Sequence, residues 1–130
     1  MSYTAVMATS IVIEIGVKTL RASLGDSPAA KKVAAALPLT VTMSRWGDEY
    51  YGSAGLSIPE DASARELMDV GEIAFWGPGK ALCIFFGPTP ASTDQRPRAA
   101  SNVLPIGKVT EGIGELSGLG SRVKAVFRSA

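Results

Sequence analysis

Gly71-Glu-Ile-Ala-Phe-Trp-Gly-Pro-Gly-Lys-Ala-Leu-Cys-Ile-Phe-Phe-Gly-Pro-Thr-Pro90 is the run on which the fold turns. Two apolar segments, Ile73–Trp76 and Ala81–Phe86, flank Gly77-Pro78-Gly79-Lys80. Glycine tolerates positive φ and proline holds φ near the value a turn requires, so the four central residues read as a chain reversal. Aromatic and β-branched types on both sides make the whole a β-hairpin. Ile84-Phe85-Phe86 has no polar residue between its apolar ones, as expected of a strand covered on both faces. Gly87-Pro88-Thr89-Pro90 then ends the second strand, because proline cannot donate to a ladder.

On the N-terminal side of this hairpin, Ile11, Ile13 and Ile15 alternate with Val12 and Glu14, and Leu20, Ala22 and Leu24 alternate with Thr19, Arg21 and Ser23. Gly16 between them marks either a bend joining two strands or a bulge in one long strand. Gly25-Asp26-Ser27-Pro28 is a helix start: Asp26 or Ser27 can cap free N–H groups, and Pro28 suits the first turn. Ala29, Val33, Ala36 and Leu37 share one face of that short helix, and Pro38 stops it. Leu39–Arg45 alternates again, and parity places Arg45 on the apolar face with Val41 and Met43. A guanidinium there has to be paired, or to sit where that face opens to solvent. Trp46–Gly52 reads as a turn and another strand, and Leu56–Ile58 as a short strand ended by Pro59. Ala62–Met68 has room for one helical turn, the candidate for a second helix.

Beyond the hairpin, Ala91–Ser101 is polar and loop-like. Val103–Val109 reads as a strand interrupted by Pro105 and Gly107. Thr110–Gly120 is glycine-rich with room for a turn of helix. Val123, Ala125 and Phe127 form a last alternating strand with Arg122, Lys124 and Arg128 facing out. Met1–Thr9 has no pattern and is expected to be a flexible N-terminus, leaving 10–130 as a single domain. About eight strands with one clear short helix make a mainly β protein whose strands are expected to close, or nearly close, into a barrel, which removes exposed edges.

Composition limits the chemistry. With 46% apolar and 19% charged residues the chain is globular in character, and a net charge of +1 gives no overall field for nucleic acid or an anionic membrane. There is no histidine, which removes Ser-His-Asp and Cys-His catalysis together with the commonest metal ligand. Cys83 is the single cysteine, so neither an intrachain disulfide nor a thiolate cluster is available. No run approaches the roughly 20 apolar residues of a membrane span. A cytoplasmic protein with neither metal nor cofactor is the expectation.

Arg45-Trp46-Gly47-Asp48-Glu49, the Gly71–Pro90 run, Ile106-Gly107-Lys108-Val109 and the helix closing on Ala36-Leu37-Pro38 together resemble the small prokaryotic cyclophilin-like family, over most of the chain from Ile11 onward. The resemblance implies a closed eight-stranded cyclophilin-like β-barrel capped by helices, with a groove on its wall. Cyclophilins proper are peptidyl-prolyl isomerases, and a groove of that kind implies room for a proline-containing peptide. An arginine donating to the proline nitrogen favours the twisted amide over the planar one, against an uncatalysed barrier of about 18–20 kcal/mol. Arg45 is the candidate for that role. The histidine that accompanies it in true cyclophilins is absent, and Gln95, the chain's one glutamine, falls in an expected loop. The expected function is therefore binding of a small molecule or extended peptide, with weak prolyl isomerisation through Arg45 as the alternative.

Trp46, Glu49, Tyr51, Trp76 and Phe86 are the expected ligand-binding residues around Arg45. Each has a structural reading beside the functional one. Arg45 is either a ligand contact or half of an ion pair with Asp48 or Glu49, and the aromatic residues either line a groove or fill the core. Asp48 and Glu49 are adjacent and face opposite sides of a strand; Glu49, on the face of Tyr51, is the better site residue. Cys83 reads as a small buried hydrophobe. Gly112–Gly118 has one residue too many for a dinucleotide loop and reads as a turn. Arg122, Lys124, Arg128 and Lys108 read as a solvated face, so nucleic acid is not the expected partner.

Overall fold

The computed structural model describes residues 9–130. The expected flexible terminus therefore lies outside the described residues except for Thr9, which opens the first strand. In chain order the elements are β1 (Thr9–Ile15), β2 (Lys18–Leu24), α1 (Pro28–Ala36), β3 (Leu39–Arg45), β4 (Glu49–Ser53), β5 (Arg65–Leu67), β6 (Glu72–Trp76), β7 (Ala81–Phe85), β8 (Arg98–Glu111) and β9 (Arg122–Ser129). Two 3-10 turns, Gly77–Gly79 and Ile113–Gly118, complete them.

The strands run β2-β1-β9-β3-β4-β7-β6-β8, every neighbouring pair antiparallel, and β8 returns to β2. This last pairing closes an eight-stranded barrel, and β5 lies outside it against β8. Closure leaves the barrel strands no free edge. Side chains alternate in and out along each strand, and directly paired residues share a face. Tyr50, Ile84 and Ile73, paired in sequence across β4, β7 and β6, thus all point inward and are fully buried. With Ile13, Ile15, Leu20, Met43, Phe75, Leu82 and Phe127 they belong to the barrel's apolar core.

The helix begins as expected: Ser27, not Asp26, is the N-cap, accepting from the Ala30 N–H at 3.1 Å, and Pro28 opens the first turn. Ala29, Ala30 and Val33 enter the same core as the strands. Gly16, at φ +58°, is a bend between two paired strands, which settles the choice between bend and bulge. The reversal at Gly77–Lys80 is also as expected, but the left-handed conformation falls on Lys80 (φ +48°) and not on a glycine.

Three local expectations are corrected. Leu56–Ile58 is not a strand; the chain runs there without pairing, Ile58 joins the core and Leu56 packs against it half-buried. Ala62–Met68 forms no second helix, because Arg65–Leu67 pairs with β8 as β5. The segment Ala91–Ser101 is a loop only as far as Pro97. Arg98 already begins β8, a strand of 14 residues that carries Pro105 where its register against β6 shifts. A bulge accommodates the missing donor.

Candidate functional site

The outer face of the β4–β7–β6 wall carries a second apolar cluster, separate from the barrel core. Tyr51, Cys83 and Ala74 are paired across these three strands and point outward together. Met68, Phe85, Ala99 and Val103 join Cys83 and Ala74 in the buried cluster, and Tyr51 and Trp76 pack against it half-buried. β5 and the segment that precedes β8 support this layer from outside: the Met68 N–H donates to the Pro97 carbonyl at 2.9 Å, and the Thr89 hydroxyl donates to the Arg98 carbonyl.

A hollow of about 250 Å³ opens on this outer layer, lined by Trp46, Glu49, Tyr51, Trp76, Ala99, Ala100 and Val103. Glu49 and Tyr51 come from β4, Trp76 from the end of β6, the two alanines and the valine from β8, and Trp46 from the turn between β3 and β4. That turn is tight: the Trp46 N–H donates to the Glu49 carbonyl at 2.8 Å and the Glu49 N–H to the Trp46 carbonyl at 3.2 Å. Trp76 is held from two sides. Its indole N–H donates to the Ser101 hydroxyl at 2.7 Å, and Gly79 lies so close under the ring that a Cβ there would stand 2.8 Å from two ring carbons. The second glycine of the hairpin turn is therefore called for by the indole and not by a left-handed backbone.

Glu49 sets the electrostatics of the hollow. The residue is 5% exposed, and its Oε1 has no hydrogen-bond partner among the described residues. Burial pushes its carboxyl up to about 7, against a smaller opposing pull from the Cys83 thiol. Among the described residues no lysine or arginine forms an ion pair with it. Cys83 itself is held well above the ordinary thiol range by burial and by the Glu49 carboxylate beside it, which leaves it an inert thiol.

Arg45 lies elsewhere. Parity does place it on the inner face, but at the last residue of β3, where that face opens at the barrel end. Its Nε donates to the Gly47 carbonyl (2.9 Å), one terminal nitrogen to the Ser117 and Leu119 carbonyls (3.0 and 3.2 Å), and the other to Asp48 Oδ1 (2.9 Å). The guanidinium stands over Phe86, 5.0 Å from the ring centroid, and Phe86 stacks on Tyr50. Of the six residues expected to share one groove, four, Trp46, Glu49, Tyr51 and Trp76, line the outer hollow, whereas Arg45 and Phe86 stand together at the barrel end. The ion-pair reading of Arg45 is the one the geometry adopts, with Asp48 as the partner and not Glu49.

The same corner explains why the sequence motifs occur together. Gly47, at φ +60°, leaves no room for a Cβ against Pro90 and Thr89, and a Cβ on Gly87 would strike the Asp48 carboxylate. The Asp48 N–H donates to the Pro88 carbonyl and the Phe86 N–H to the Asp48 carbonyl. The Trp-Gly-Asp turn and the Gly-Pro-Thr-Pro turn are thus two halves of one clamp, and Arg45 ties it to the Ile113–Gly118 turn. Ala99, Ala100 and Val103 were not legible as site residues. They lie at the start of β8, where small side chains leave no alternating hydrophobic pattern.

The basic outward residues of β9 are dispersed: Arg128 is paired with Glu14 across the neighbouring strand at 3.0 Å. No helix among the described residues is long and apolar enough to cross a membrane.

Over residues 9–128 the chain matches the family model described as cyclophilin-like, and it belongs to that family. A solved structure with the same fold is the solution structure of the hypothetical protein AF2241 from Archaeoglobus fulgidus. It is 31% identical, with a TM-score of 0.80, over 95% of this chain and 96% of that one. No curated protein matches the chain.

Proposed function

We propose that this protein is a binding module, a cyclophilin-like barrel that holds a small molecule or one side chain of an extended peptide in the hollow on its outer wall. The observation that carries this reading is the hollow itself: three aromatic side chains line it together with Glu49, a buried acid whose Oε1 has no hydrogen-bond partner among the described residues. Binding sites combine an apolar lining with few polar groups, and an orphaned acceptor is a cost that a ligand donor can offset. At about 250 Å³ the space is smaller than the roughly 300–1,000 Å³ of sites for drug-sized ligands, which favours a small group over a whole cofactor. Isomerisation through Arg45 is the less favoured reading. A guanidinium has five N–H groups, and Arg45 donates four bonds within the protein, on the other side of the wall.

The test is a fragment and proline-peptide screen against isotope-labelled protein, followed by backbone and indole NMR resonances. Binding fragments are expected to move the indole signals of Trp46 and Trp76 and the amides of Glu49, Tyr51 and Ala100. Shifts confined to Arg45, Phe86 and the Ile113–Gly118 turn, or no shifts with any compound, would overturn the reading.

A further inference from the structure

Glu49 is placed unlike the other acids that lie against the barrel. Asp48, its neighbour in sequence, holds Arg45, and Glu72, the other acid that is mostly covered, binds Arg65 at 2.6 Å and accepts the Asp69 N–H. Glu49 is more deeply buried than either and, among the described residues, has neither an ion-pair partner nor a donor on Oε1. The side chains facing it are Phe85 and the Cys83 thiol on β7, Tyr51 on its own strand, Ala99 and Val103 on β8, and the two indoles. None of these bears a positive charge. A desolvated carboxylate is costly unless a cation meets it, and aromatic rings attract a cation to their faces.

Resting on the reading of the hollow as a binding site, we propose that its ligand is an alkylammonium group with at least one N–H, free or at the end of a lysine side chain, meeting the Glu49 carboxylate between Trp46, Tyr51 and Trp76. Charge, donor and volume together select this class. An anion would meet the carboxylate unscreened. A neutral alcohol could donate to the carboxylate but would gain nothing from the rings as a cation does. A guanidinium or dinucleotide asks for more acceptors or more space than this hollow has. The ammonium supplies the missing charge, and its alkyl stem lies on Ala99, Ala100 and Val103.

Trp46 and Trp76 are the chain's two tryptophans and both line the hollow, so intrinsic fluorescence reports on this site directly. The experiment titrates the full chain at pH 8 with n-butylammonium chloride and with n-butanol, its neutral counterpart, and then with N-acetyl-lysine amide and N-acetyl-norleucine amide. Wild type is compared with Glu49→Gln and Tyr51→Leu, thermal melts confirming that each variant is folded. The charged member of each pair is expected to bind about tenfold more tightly or better. That advantage should vanish in Glu49→Gln, shrink in Tyr51→Leu, and fade as pH falls below 7 and the carboxyl takes up a proton. A response to butylammonium alone places the ligand among free amines, and a response to both charged probes extends it to lysine side chains. Equal affinity for charged and neutral probes, or an advantage that survives Glu49→Gln, would overturn the ammonium assignment while leaving the hollow as a binding site. Silence to all four probes and to the fragment screen would remove both.

Discussion

At the residue scale, Glu49 and Arg45 are the two charged groups that the sequence singles out as site residues, and they behave oppositely. Burial raises the Glu49 carboxyl from 4.5 to about 7. Between these values the folded state holds a proton that the unfolded chain has released. Stability from this group is therefore full below about pH 4.5, falls as pH rises, and is lost once pH passes about 7. At about 1.4 kcal/mol per pKa unit, the loss is at most about 3.5 kcal/mol. Urea unfolding of wild type should show this decline between pH 5 and 7.5, and Glu49→Gln, which cannot ionise, should not show it; parallel profiles would refute the assignment. Arg45 contributes in the ordinary structural way. Arg45→Ala removes four hydrogen bonds and the contact with Phe86, and is expected to cost about 2 kcal/mol in urea unfolding while leaving tryptophan quenching by ligands unchanged. A large change in ligand response with intact stability would return Arg45 to the site. Parity placed this arginine on the right face, but it could not tell that the strand stops there. The end of β3 is fixed by the turn and by partners some seventy residues away.

At the scale of elements, the hairpin of β6 and β7 was legible because its two signals agree: strong strand formers on both flanks and a Gly-Pro-Gly reversal between them. The first helix was legible for the same reason. β5 and the start of β8 were not. Arg65-Glu66-Leu67 is too short and polar to declare a strand, and is one only because β8 offers it an edge. Arg98–Asn102 is polar because half of it faces solvent and the rest walls a hollow that needs small side chains. Leu56–Ile58 erred the other way: its apolar residues serve single-site packing and not a ladder. Glycines inside strands mark close approaches between elements. Gly52 in β4 faces inward, where an added Cβ would strike the Thr42 carbonyl of β3 and stand 2.6 Å from a Val41 methyl. Gly52→Ala is expected to lower stability by about 2–3 kcal/mol, read as a drop in urea midpoint with unchanged slope. A stability change below a few tenths of a kcal/mol would show that the two strands separate easily at this point.

At the scale of the whole molecule, the sheet wall decides what can act together. Arg45 and Phe86 end on the inner side, at the mouth of the barrel, while Glu49, Tyr51 and Trp76 end on the outer side, under the layer that β5 and β8 build. Six residues that read as one constellation in sequence are two separate clusters, because alternation along β4 sends Glu49 and Tyr50 in opposite directions. Eight closed strands and the family were readable from motif and pattern together. The hollow was only partly so, since the alanines that bound it carry no hydrophobic signature. Because the closed wall keeps Arg45 away from Glu49, the carboxylate has no cation beside it among the described residues, which is the opening the proposed ammonium ligand would fill. The most direct measurement is a carbon-detected NMR titration of the Glu49 carboxyl, with and without saturating n-butylammonium. It should titrate near 7 in the free protein and move down toward the ordinary range of glutamate when the amine is bound. A free value near 4.5, or a value near 7 that the amine leaves in place, would contradict the account.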